Sequence, residues 1–90
     1  MITVMVMHEV EDVDFWLASP RRKDLFGSLG VRHSNFIDPL GSNLVGMIIQ
    51  VPDMATLLAN INSAENVAAM NHDRVIRSTI RILMSEDIPV

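Results

Sequence analysis

The sequence predicts an α+β fold in the order β-α-β-β-α-β, and three observations lead there. The first is an internal echo. Val10-Glu11-Asp12-Val13-Asp14-Phe15-Trp16-Leu17-Ala18 is matched by Val51-Pro52-Asp53-Met54-Ala55-Thr56-Leu57-Leu58-Ala59. Each copy leaves an apolar run, sets an Asp where a helix would be capped, and turns helical. The second is a further echo: Ser19 to Val31 matches Ser63 to Val75 in outline, each opening on a serine cap and entering a strand at a valine. The third is the dense turn chemistry of Asp38-Pro39-Leu40-Gly41-Ser42-Asn43 between the two units, which closes a hairpin. Two such units fill the 90 residues without a linker, so the expectation is a single domain over 1–90.

Each element has its own justification. Ile2 to His8 is nearly uninterrupted Val, Met and Ile, which suits a strand covered on both faces. Asp12 is the expected cap of the first helix, with Asp14 in the opening turn, where carboxylates favour the positive end of the dipole. Ser19-Pro20 reads as a new cap followed by proline at the first helical position, with helix to about Ser28 and Gly30 as its stop. Val31 to Ile37 and Leu44 to Val51 are the hairpin strands. Asp53 caps the second main helix, which ends near Asn60 to Asn62. Ser63 opens a short helix to about Met70, with Asn71 as a left-handed terminator. Arg74 to Met84 is the last strand and Ser85 to Val90 a tail.

The order makes a ferredoxin-like pair of crossovers packed on one face of a four-stranded antiparallel sheet. In the last strand Ile76, Ser78, Ile80 and Ile82 are expected to face the helices, and Arg77, Thr79 and Arg81 the opposite side. Pairing Ile37 with Leu44 would add His33, Asn35, Leu44, Gly46, Ile48 and Gln50 to that opposite side. A face of this mixed character suits a cavity enclosed between two sheets.

Composition narrows the class. Hydrophobic residues make up 49% of the chain and seven residues are Met, more apolar material than so small a domain readily hides. A homodimer interface is the expected outlet. A net charge of −4 argues against nucleic-acid binding, and the one basic run, Arg21-Arg22-Lys23, reads as a solvated helical face. With no cysteine, thiol catalysis and disulfides are excluded. No apolar run is long enough to span a bilayer, and Met1 leads into a strand without a basic flank, so the expected location is cytoplasmic.

The stretch Val10 to Trp16, Gly30-Val31, Asp38-Pro39, Val51-Pro52-Asp53, and Ser63-Ala64-Glu65 leading to Met70 resemble the dimeric α+β barrel proteins. More narrowly, the chain is similar to the small members grouped with antibiotic-biosynthesis monooxygenases and polyketide-cyclase-like proteins. The resemblance implies two sheets packed into an α+β barrel, with any active site between sheet and helices or inside the barrel. It covers a range of activities, from cofactor-free oxygenases and lactone isomerases to haem degradation. The haem-degrading members use an Asn–Trp–His set that does not carry over, because Trp16 lies in the first helix and the first strand has no Asn. No cofactor is therefore expected.

Among the residues themselves, His33 is the candidate base, with Asn35 orienting it and Arg77 and Arg81 stabilising an anion. His8 at the end of the first strand, Trp16, Gln50 and Thr79 are candidate ligand contacts. Each has a plain structural counterpart: interface hydrogen bonds for His33, exposure for His8, core packing for Trp16, and inter-subunit ion pairs with Glu9 or Asp38 for the arginines. His72, after a helix end, is read as structural. No histidine spacing builds a metal site. Two classes follow: a cofactor-independent monooxygenase, cyclase or isomerase acting on a small apolar or acidic organic molecule, and a non-catalytic ligand-binding or accessory dimer.

Overall fold

The computed structural model describes residues 2–20 and 33–85. Within them run β1 (Ile2–Val10), α1 (Val13–Ala18), β2 (His33–Ile37), β3 (Leu44–Val51), α2 (Met54–Ile61), α3 (Ala64–His72) and β4 (Val75–Met84). The strands form one antiparallel sheet in the order β2-β3-β1-β4, the ferredoxin-like topology that two split crossovers require. The helix expected after Pro20 lies outside the described residues.

The caps fall where the polar side chains predict them. Asp12 accepts from the Phe15 N–H at 3.0 Å, Asp53 from the Thr56 N–H at 2.7 Å, and Ser63 from the Asn66 N–H at 3.2 Å. One stop differs from expectation. The helix from Ser63 runs on to His72, and the left-handed residue that follows is Arg74 (φ 59°), not Asn71. Asp73 intervenes as C-cap, its N–H donating to the Ala69 carbonyl at 3.0 Å. Ser19 ends α1 in an extended conformation, as a residue before proline is driven to do.

The core lies between the sheet and the helices. Val4, Val6, His8 and Val10 of β1 alternate on the helix side, beside Val45, Met47, Ile49 and Val51 of β3. Trp16 and Leu57, which occupy equivalent slots in the internal echo, are both buried against that surface. The echo is thus one of packing as well as of caps.

Two registers depart from the expectation, and each moves side chains to the other face of the sheet. In the hairpin Ile37 pairs with Val45, not Leu44. Ser42 accounts for it: its hydroxyl donates to Asp38 at 2.5 Å and accepts from the Leu44 N–H at 3.2 Å, so the ladder starts one residue later. His33 and Asn35 consequently share a face with Ile49 and Met47 on the helix side, while Ser34 and Phe36 take the open side.

The second departure is a bulge. The β1–β4 ladder runs Val10↔Val75 and Glu9↔Ile76, then resumes at Met7↔Arg81. Val75, Ile80 and Ile82 pack on the core, whereas Ile76 pairs with Glu9 on the open side. Thr79 repairs the ladder at this point. Its hydroxyl accepts from the Glu9 N–H at 2.8 Å and donates to the Ile76 carbonyl at 2.6 Å. The open face that results is more apolar than predicted, with Met5, Phe36, Leu44 and Leu83 all exposed beside Met7 and Ile48.

Two measurements follow from these local bonds. Thr79→Val strands the Glu9 N–H and the Ile76 carbonyl, and is expected to lower unfolding free energy by about 2 kcal/mol, with Thr79→Ser close to the parent in urea titration. Asp53 is held below the usual aspartate range by the backbone N–H of Thr56, then by the Thr56 side chain. Its folded-state value is depressed, so its contribution is complete above the unfolded-state value and is lost as pH falls through the folded one. Asp53→Asn should flatten that acid limb of stability against pH, and an unchanged limb would assign it to other groups.

Candidate functional site

A cavity of about 290 Å³ lies between the sheet and the helix layer. Its sheet side is Val6, His8, Met47, Ile49, Val51, Val75 and Ile80, and its helix side includes Trp16, Leu57, Ile61, Ala69 and Met70. Most of the wall is apolar. Thr56, Asn60 and Asn66 add neutral polar groups from α2 and α3, and Asp73 adds a carboxylate.

His8 and Asp73 set this cavity apart from ordinary core. Among the described residues they are the two buried polar side chains, 4% and 2% exposed, and both line it. His8 arrives there because the helix-facing row of β1 reads Val, Val, His, Val, and because the ladder with β4 breaks opposite it. Bulges recur beside functional sites, where they re-aim side chains. The His8 ring stands edge-on to Trp16, centroids 5.8 Å apart with the planes at 80°.

Asp73 is placed by the first helix. The Ser19 hydroxyl donates to its Oδ1 at 2.5 Å, and His72 Nδ1 lies 3.0 Å from the same oxygen. Phe15 supports the arrangement from outside. Its ring lies 5.6 Å from that of His72 and beneath the Arg74 guanidinium, 4.5 Å from the ring centroid. The connection between α3 and β4 is thereby tied to α1 on both sides of Asp73.

Of the residues singled out from sequence, His8 and Trp16 meet in the cavity. The others lie elsewhere. His33 and Asn35 sit on the edge strand β2, on the helix side but not in the cavity wall. Arg81 pairs with Met7 on the open face, and Arg77 is exposed within the bulge. Gln50, paired with Thr3, is exposed on the open face, and the Thr79 hydroxyl is engaged in the ladder. The expected base and the expected anion stabilisers therefore lie on opposite edge strands, β2 and β4, and Arg81 is also on the other face from His33.

Asp73, Asn60 and Asn66 were not singled out from sequence. A signal for Asp73 exists: an acid immediately after a helix opposes the negative end of the dipole, and a residue placed against local preference marks a functional or strained position. Among the described residues no cluster of His, Cys, Asp and Glu is arranged to hold a metal. No helix among them is long and apolar enough to cross a membrane.

The fold can be set beside known proteins. A crystal structure of an antibiotic biosynthesis monooxygenase superposes with a TM-score of 0.64 at 14% identity, covering 99% of this chain and all of the other. The chain has the ferredoxin-like α+β fold. An EthD-family protein from Bacillus halodurans aligns at a TM-score of 0.47 and 12% identity, over 98% of this chain and 100% of that one. At 14% identity the likeness to the monooxygenase concerns the fold alone. No family model matches the chain, and no curated protein matches it either.

Proposed function

We propose that the protein is a homodimer whose open sheet faces close on each other, and that each protomer binds a small, flat, largely apolar organic molecule between sheet and helices. One observation carries the binding reading: both buried polar side chains of the described residues, His8 and Asp73, line one mostly apolar cavity. Ligand sites typically combine an apolar wall with a few orienting polar groups. The dimer reading is supported by the exposed Met5, Phe36, Leu44 and Leu83 on the sheet face away from the helices. A contiguous apolar surface of this kind marks an interaction site.

The chemistry this constellation suits is proton transfer without a cofactor. His8 takes a proton from a carbon beside a carbonyl, and the amides of Asn60 and Asn66 are the candidate donors to the enolate oxygen. The enolate then regains a proton elsewhere, closes on a second carbonyl, or reacts with dioxygen. These outcomes correspond to an isomerase, a cyclase and a monooxygenase. A non-catalytic binding protein is the second reading, and the separation of His33 and Asn35 from Arg77 and Arg81 on opposite edge strands favours it, since those four residues do not form one cluster.

Sedimentation velocity at micromolar concentration is expected to give a species of twice the chain mass, and Leu83→Glu to shift it to the protomer. A parent chain that sediments as a protomer would remove the dimer. For the cavity, thermal-shift screening against lactones, catechols and aromatic polyketides should yield a compound that raises Tm. Ala69→Leu, which fills the space, should abolish that rise while leaving the chain folded. With such a compound, loss of turnover but not of binding in His8→Ala supports catalysis, whereas binding without turnover in the parent supports the second reading.

A further inference from the structure

We propose that the ligand of this cavity presents the edge of a ring amide, an N–H beside a C=O, and that Asn60 and Asn66 read it; this rests on the cavity being a binding site. Asn60 lies three residues after Leu57 on α2, and Asn66 three residues before Ala69 on α3. Leu57 and Ala69 are buried, so the spacing puts both asparagines on the inward stripe of their helices, where an apolar side chain is the ordinary choice. Both line the cavity and both are half-buried. A polar residue set against the local pattern marks a functional position.

Among the described residues neither side-chain amide makes a hydrogen bond. Asn60 is engaged through its backbone carbonyl, which accepts from the N–H and the hydroxyl of Ser63 at 3.1 and 2.7 Å, and Asn66 through its backbone N–H. Neighbouring polar groups are used within the fold. The Asn62 amide donates to the Leu58 carbonyl at 3.0 Å, Thr56 is bound to Asp53, and Asp73 is engaged by Ser19 and His72. A carboxamide offers N–H donors and a carbonyl acceptor without charge. A ring amide is its complement, because its N–H and C=O lie on one side and pair with a carboxamide through two hydrogen bonds. Its carbonyl keeps a second lone pair for the other asparagine. A ketone or lactone supplies the acceptor only, and the asparagine carbonyl left unpaired in a mostly apolar wall costs its desolvation. The rings are accommodated by Ile49, Leu57 and Trp16. A volume of about 290 Å³ stands near the lower bound of ordinary ligand pockets, so one or two fused rings fill it.

The test is a matched series of two-ring compounds, 2-quinolone, coumarin and quinoline, titrated calorimetrically into the full chain at neutral pH. Coumarin replaces the ring N–H of the quinolone by oxygen, and quinoline lacks the carbonyl. The quinolone is expected to bind about tenfold or more tighter than coumarin, with quinoline weakest. Asn60→Ala and Asn66→Ala should each weaken the quinolone more than coumarin. Alanine is the better helix former, so both variants are expected to unfold at no lower urea concentration than the parent. If coumarin or quinoline binds as tightly as the quinolone, or if both variants keep the parent's preference, the proposal is overturned while the cavity remains a ligand site. Should none of the three bind, the cavity reading falls and the ring amide with it. The series on the parent chain decides the matter by itself, should a variant fail to fold.

Discussion

The pairing of β1 with both its neighbours is the constraint from which the rest of the molecule follows. As a central strand it presents Val4, Val6, His8 and Val10 to the helices, and any slip by one residue would exchange that row for Met5, Met7 and Glu9. On the β3 side the register is continuous. On the β4 side it shifts opposite His8, and the Thr79 hydroxyl supplies the bonds that the missing ladder positions would have made. The shift lets Val75 and Ile80 both face the core across the break, and the two residues flank the cavity beside His8. Fold and site thus share one irregularity.

Asp73 illustrates the same economy at the other wall. Three elements converge on it: α3 delivers it as a C-cap, α1 supplies the Ser19 hydroxyl, and the left-handed Arg74 turns the chain back into β4. A buried carboxylate is tolerated only when hydrogen-bonded, and here the donor comes from a segment far away in sequence. Burial of this charge therefore couples the placement of α1 to the geometry of the cavity. A residue serving the core alone would be replaced by an apolar one at no loss of packing.

The two faces of the sheet carry different tasks. The helix side carries the core and the cavity. The open side presents Met5, Phe36, Leu44 and Leu83 to solvent, a surface that matches the high apolar content of the chain. Moving His33 and Asn35 off this open face makes it a better candidate for contact between protomers and a poorer one for acid–base chemistry.

Much of this architecture is legible along the chain because caps, turns and strand entries are local. Asp12, Asp53 and Ser63 each bond an N–H within three residues, and Leu44 to Val51 is a strand by its β-branched and apolar run alone. The equivalence of Trp16 and Leu57 was equally visible, since both follow a capping Asp at the same spacing. What could not be seen is which side of the sheet each strand residue occupies. That depends on a hydroxyl of Ser42 taking the Leu44 N–H, and on a bulge between strands that are distant in sequence. With a side-chain period of two, one residue of register is enough to send His33 to one face and leave Arg81 on the other. That His8 and Asp73 line one cavity is likewise a matter of tertiary packing, because a strand and a helix end bring to it groups that no spacing along the chain relates.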